Sequence, residues 1–141
     1  MSVLDLNCIF CAIVSGAAPA SVVHEDEQLI AFCDLRPINR GHLLIAPRRH
    51  ATNLAELPAE TGALMFKLAQ RLAARIRHSP IPADGINLSL ADGAAAGQTV
   101  FHVHLHVIPR LIKDGFGPHG GARAVTRSDL DQVARLLITD P

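Results

Sequence analysis

The chain has 141 residues, 49% hydrophobic and 18% charged, which is enough for one domain with its own core and excludes a mainly disordered chain. Thirteen Lys and Arg balance thirteen Asp and Glu, and five Phe stand with no Tyr or Trp, so neither a global basic field nor a stacking surface points to a nucleic acid polymer or a membrane partner. Three Cys do not make a secreted disulfide scaffold, and Met1 to Leu6 lacks the basic and apolar runs of a signal peptide, so a soluble cytoplasmic protein is expected.

Cys8 to Ser15 reads as a short helix stopped by Gly16. Val22 to Glu25 and Gln28 to Asp34 read as strands around the acidic turn Asp26-Glu27, and His42 to Pro47 reads as a buried strand. A helix is predicted from Leu57-Pro58 to Arg77, with Met65, Leu68, Ala69, Leu72 and Ile76 as its core-facing stripe. Two further strands are expected, Ile86 to Ala91 and Val100 to Pro109, separated by the small-residue stretch Gly93 to Gly97. Residues 111–127, with four Gly, read as a long loop, and Ser128 is expected to cap a last helix reaching about Ile138. The order predicts a single α+β domain over 1–141: an antiparallel sheet of about five strands, one long helix and short terminal helices. The motif-bearing core is 8–110, and the loop and C-terminal helix are 111–141.

The most informative segment is Phe101-His102-Val103-His104-Leu105-His106-Val107-Ile108. Read as a strand of period two, it puts Val103, Leu105 and Val107 on one face and three imidazoles on the other. Residues four apart on a straight strand are roughly 13 Å apart, so the three His cannot share one metal ion and must divide their work. Neutral imidazole is a competent nucleophile toward phosphorus near pH 7. Backbone N–H groups of Gly93 to Gly97, together with Gln98 and Thr99, offer donors to a phosphate. Arg36, Arg40, Arg48 and Arg49, with no acid among them, suggest a locally cationic surface. Cys33 reads as a buried apolar filler, and His24, His78 and His119 read as exposed.

The triad resembles the His-φ-His-φ-His-φ-φ motif of the histidine-triad (HIT) nucleotide hydrolases and transferases. Cys8-Ile9-Phe10-Cys11, Ala31-Phe32-Cys33-Asp34, Gly41-His42-Leu43-Leu44-Ile45-Ala46-Pro47 and Gly97-Gln98-Thr99-Val100 stand in the same order as in that family. The Cys pair and Ile108-Pro109-Arg110 look like its bacterial Hint-like branch. The resemblance implies the HIT-like fold and attack by His104 on the α-phosphorus of a purine nucleotide, through a covalent nucleotidyl-histidine. It implies that His106 and His42 bind phosphate oxygens and that Thr99 and the Gly97 backbone assist, with Gln98 beside them. Asp34 would accept hydrogen bonds from the ribose hydroxyls, and Ile9, Phe10, Ile13, Phe32 and Leu44 would form the slot for the base. Ala91 departs from the pattern, because many relatives place an Asn there that contacts the phosphate region.

Cys8 and Cys11 have ligand spacing, which alone fits a redox pair, half a zinc site or coincidence. The bacterial relatives imply zinc, with His50 and His102 completing a closed two-Cys, two-His set of the structural kind. The implied activity is cleavage of purine nucleoside phosphoramidates or related adenylated compounds, without an organic cofactor. The alternatives are a diadenosine polyphosphate hydrolase, a nucleotide-binding regulatory module of low turnover, or a hydrolase using zinc-bound water. Relatives also imply a homodimer that joins two sheets, for which the helix after Pro58 could serve as an interface.

Overall fold

The structure, a computed structural model, describes residue 5, residues 7–115 and residues 124–141. The middle of the expected loop, including His119, and most of the N-terminal segment lie outside the described residues. Helix α1 spans Ile9–Ser15 and ends as expected on Gly16, whose φ of 83° lets its N–H reach back to the carbonyls of Ala12 and Ile13. Five strands follow: β1 (Val22–Glu25), β2 (Leu29–Cys33), β3 (Leu43–Pro47), β4 (Gly85–Ser89) and β5 (Leu105–Arg110). They form one antiparallel sheet in the order β1-β2-β3-β5-β4. Helix α2 (Ala59–His78) and helix α3 (Arg127–Leu137) complete the expected α+β fold.

The sheet is covered on both faces over β2 and β3, which is why their sequences, Leu-Ile-Ala-Phe-Cys and Leu-Leu-Ile-Ala-Pro, carry no polar residue and are buried throughout. Ala31, Cys33, Leu43, Ile45 and Val107 pack with Met65, Leu68, Leu72 and Ile76 of α2 and with Leu130, Val133 and Leu137 of α3. On the opposite face, Ile30, Phe32, Leu44 and Ala46 pack with Phe10 of α1. The functional residues belong to this second face.

Three expectations are corrected. The last strand begins at Leu105 instead of Val100, because Val103 donates its N–H to Ala51 outside any ladder (2.7 Å). His102, Val103 and His104 are consequently all buried instead of alternating. The cap of α3 is Thr126 instead of Ser128: its hydroxyl accepts from the Asp129 N–H and the Asp129 carboxylate accepts from the Thr126 N–H. The four arginines do not share one surface. Arg48 pairs with Glu25, Arg36 lines a cavity beside α1 and Arg40 faces α3.

The apolar stripe of α2 also contains a charge. Arg75 is buried, with Nε 2.8 Å from Asp140 Oδ1 and Nη1 donating to the carbonyls of Leu137 (2.9 Å) and Val23 (3.4 Å). It ties α2 to the end of α3 and to β1. Arg75→Ala leaves those buried carbonyls without their donor, so a loss of about 2–3 kcal/mol is expected in urea denaturation.

Candidate active site

The residues that matter sit where α1, the loop before β5, and strands β2 and β3 converge. Phe10, the second residue of α1, stands edge-on to Phe32 (5.3 Å between centroids) and to the His104 ring (5.0 Å). Apolar packing therefore sets where that imidazole lies. A cavity of about 430 Å³ opens beside it, a size that suits a small-molecule ligand. Its apolar wall includes Ile9, Ile13, Phe32 and Leu44, and its polar wall includes Asp34, Gly97, Thr99, His104 and His106. Ala91, in the position where an Asn was expected from relatives, also lines it.

The hydrogen bonds assign the protons. A carbonyl only accepts, so His104 donates its Nδ1–H to the His102 carbonyl (2.8 Å), leaving Nε2 as a bare lone pair. A backbone N–H only donates, so His42 accepts at Nδ1 from Ile38 (3.0 Å) and keeps its proton on Nε2. That proton lies between His106 Nδ1 (2.9 Å) and Asp34 Oδ2 (3.3 Å). With its Nδ1 accepting, His106 carries its own proton on Nε2 and offers it as a donor. Burial pushes the His42 and His104 imidazoles below their ordinary range, with the Asp34 carboxylate opposing the shift. Burial, reinforced by His42 and His104, pushes His106 down to about 4. The row is neutral at pH 7.

Two predicted residues stand away from the cavity. His42 is buried behind His106 and acts on it through their hydrogen bond. Gln98 is buried, accepting from the Gly93 N–H (2.8 Å) and donating to the carbonyls of Thr52 (2.7 Å) and Val100 (3.1 Å). Its side chain braces the loop that carries Gly97 and Thr99. Of the remaining His, His78 is exposed as expected, whereas His24 is half-buried and bonded to Asp26 (2.7 Å). Cys33 is buried, as expected of a filler, and burial pushes its thiol up to about 12.

A second cluster lies behind the first. Ligand atoms of Cys8, Cys11, His50 and His102 all fall within 4.8 Å of one another. His102 Nδ1 is 3.3 Å from Cys8 Sγ and 3.6 Å from Cys11 Sγ, and His50 Nδ1 is 3.4 Å from Cys11 Sγ. Tetrahedral zinc with ordinary bond lengths places S and N ligands about 3.6 Å apart, so the four fit a zinc ion. Each imidazole is also held at its other nitrogen: His102 Nε2 donates to the Pro47 carbonyl (2.7 Å), and His50 Nε2 lies 3.3 Å from Thr52 Oγ1.

The model of the HIT domain matches residues 15–111. The chain belongs to the HIT family. This HIT protein is 41% identical over 132 residues to an uncharacterized HIT-like protein of Mycobacterium tuberculosis, covering 94% of this chain and 91% of that one. It is similar to the crystal structure of a zinc-bound histidine triad family protein from Mycobacterium smegmatis, with a TM-score of 0.84, 44% identity, and coverage of 94% and 91%. It is 36% identical over 113 residues to an adenylylsulfatase of Arabidopsis thaliana, covering 80% of this chain and 57% of that one.

One contributor escaped the sequence. Arg127 lines the cavity from the first turn of α3, outside the matched span, together with Arg36, which the sequence offered only as part of a cationic surface. The only local cue was the Thr126-x-x-Asp129 capping pattern, which marks where α3 starts.

The His106 shift has a consequence for stability. Between about 4 and the ordinary value of 6.5, the unfolded chain binds a proton that the folded chain does not. Stability therefore rises with pH across that window and is lost as pH falls through it. Urea midpoints measured across it should fall on acidification, and less steeply in His106→Gln.

Proposed function

We propose that this HIT protein cleaves purine nucleoside phosphoramidates or related adenylated compounds at the α-phosphorus, through a covalent intermediate on His104. One hydrogen bond supports this above all: Nδ1–H of His104 is committed to the His102 carbonyl, so the unprotonated Nε2 belongs to a neutral ring at the cavity wall. The adenylylsulfatase among its relatives supports a purine nucleotidyl group as the transferred unit.

In this mechanism Nε2 of His104 bonds to phosphorus while the bond to the leaving amine or oxyanion breaks, and the leaving group takes up a proton from solvent. The Nε2–H of His106, aligned by His42, donates to a phosphate oxygen as charge builds there. Gly97 and Thr99 stand on the same wall and add donors. Water then attacks phosphorus, releases its proton and frees His104, giving the monophosphate. Asp34 accepts from the ribose hydroxyls, and Ile9, Phe10, Ile13, Phe32 and Leu44 sandwich the base. The exposed Ile9, 49% accessible, suits a wall completed by ligand.

Zinc would be held by Cys8, Cys11, His50 and His102, where it would cross-link α1 to the loops flanking β3 and β5 and supply stability. The set is closed, which leaves no position for a catalytic water. A homodimer is the assembly we favour, since β4 is an edge strand with Leu88 exposed and α2 exposes Leu64 and Phe66.

Incubation with adenosine or guanosine phosphoramidate, quenched in acid, should give a protein mass raised by one nucleotidyl group. His104→Ala should lose that adduct and at least about a thousandfold in turnover, as expected when a nucleophile is removed. Turnover unchanged in His104→Ala refutes the mechanism.

Cys11→Ser should release zinc, measured as metal content per chain, and lower the melting temperature before it affects phosphoramidate turnover in the protein that stays folded. Loss of turnover with the melting temperature unchanged would instead give the metal cluster a part in the reaction beyond stability.

A further inference from the structure

The cavity crosses the sheet, and strand register gives its length. His106 pairs with Leu44, Leu44 with Phe32, and Phe32 with Val22. At about 4.8 Å per strand, β1 lies roughly 14 Å from the triad. If a nucleotide's phosphorus sits at His104 and its base on Phe32 and Leu44, the outer edge of the base faces the β1 side. This step rests on the nucleotide reading given above.

Arg127 stands at that side. It lines the same cavity, and its Nη1 donates to Ser21 Oγ (2.9 Å). The Ser21 hydroxyl in turn donates to Asp131 Oδ1 (2.6 Å), and the Ser21 carbonyl accepts from the Cys33 N–H (3.0 Å). The buried Ser21 therefore anchors one corner of the guanidinium against β1 and β2. Among the described residues Arg127 makes no other hydrogen bond, so its remaining N–H groups are available to a ligand.

The chemistry of this corner selects among ligands. A guanidinium only donates, and its planar fork matches two adjacent acceptors. Asp131 shares the Ser21 hydroxyl with Arg127, and Asp34 and Arg36 line the same cavity, so the two cations are balanced by two carboxylates, which favours a neutral acceptor pair over a further phosphate. Guanine presents O6 and N7 side by side as acceptors, whereas adenine places its N6 amino donors beside N7. We propose that Arg127 makes the cavity selective for a purine bearing a carbonyl at C6, guanine or hypoxanthine, over adenine.

The test is calorimetric titration of GMP and AMP into the full-length protein and into Arg127→Met, which keeps the apolar stem and removes every donor. The wild type should bind GMP roughly tenfold more tightly, the scale of one good bidentate contact to a base. Arg127→Met should lose that preference, with its AMP affinity within about twofold of wild type and its melting temperature lowered only by the loss of the one bond to Ser21. Equal affinities in the wild type, or a preference that persists in Arg127→Met, overturns the assignment of Arg127 alone. Failure of both nucleotides to bind the wild type overturns it together with the nucleotide reading.

Discussion

The hydrogen bond from His104 Nδ1 to the His102 carbonyl, 2.8 Å long, is the constraint on which the site depends. It joins two centres that share a backbone. The His102 ring is fixed between the Pro47 carbonyl on one side and Cys8 and Cys11 on the other. Its peptide group therefore has little freedom, and the carbonyl that orients His104 inherits that rigidity. Phe10 presses on both rings, with centroids 5.7 Å from His102 and 5.0 Å from His104. The same short helix that, with its cap residue Cys8, supplies the two thiols thus also supplies the apolar wedge that sets the neighbouring imidazole. The metal-type cluster and the orientation of the His104 ring are two ends of one rigid piece.

What was legible in the sequence follows from which interactions are local. Gly16 ends α1 by its own backbone preference, and the apolar runs of β2 and β3 announce strands covered on both faces. The stripe on α2 reads directly as its core face, apart from Arg75, whose acceptors come from residues 23, 137 and 140 and are invisible to any local pattern. The triad failed as a period-two strand for a related reason. Period two requires a continuous ladder, but between Val100 and His104 the chain bonds to Ala51 and to its own side chains instead. Alternation in the sequence was real; its cause was a division between two polar clusters, not two faces of a strand.

The candidate site shows the same split. Its residue types could be named from spacing and resemblance, but their depth could not. His42 and Gln98 look like ligand-contacting groups in sequence, and the fold turns both inward. His42 holds the tautomer of His106, and Gln98 satisfies three backbone groups of a loop with little side-chain packing of its own. Small residues at 93–97 need such an external brace, since Gly93 and Gly97, both at φ 98°, flank only a single turn formed by Ala94–Ala96. Arg127 was illegible because its place depends on how α3 returns to the edge of the sheet.

Ala91 bears on how charge is handled at the cavity. A methyl group there offers no hydrogen bond, so that part of the wall has no donor for an anion. The neutral row compensates in direction if not in number. Ile38 fixes the proton of His42, His42 fixes that of His106, and the chain ends in a donor at the cavity wall. The Ile38 N–H can only donate, and each bond then fixes the tautomer of the next ring, so the donor is aligned without help from solvent. Were His106 protonated instead, its Nδ1 would compete with His42 for an acceptor, and the alignment would be lost. Burial, by keeping these rings uncharged, preserves the one arrangement in which a lone pair at His104 and a donor at His106 coexist on the same wall.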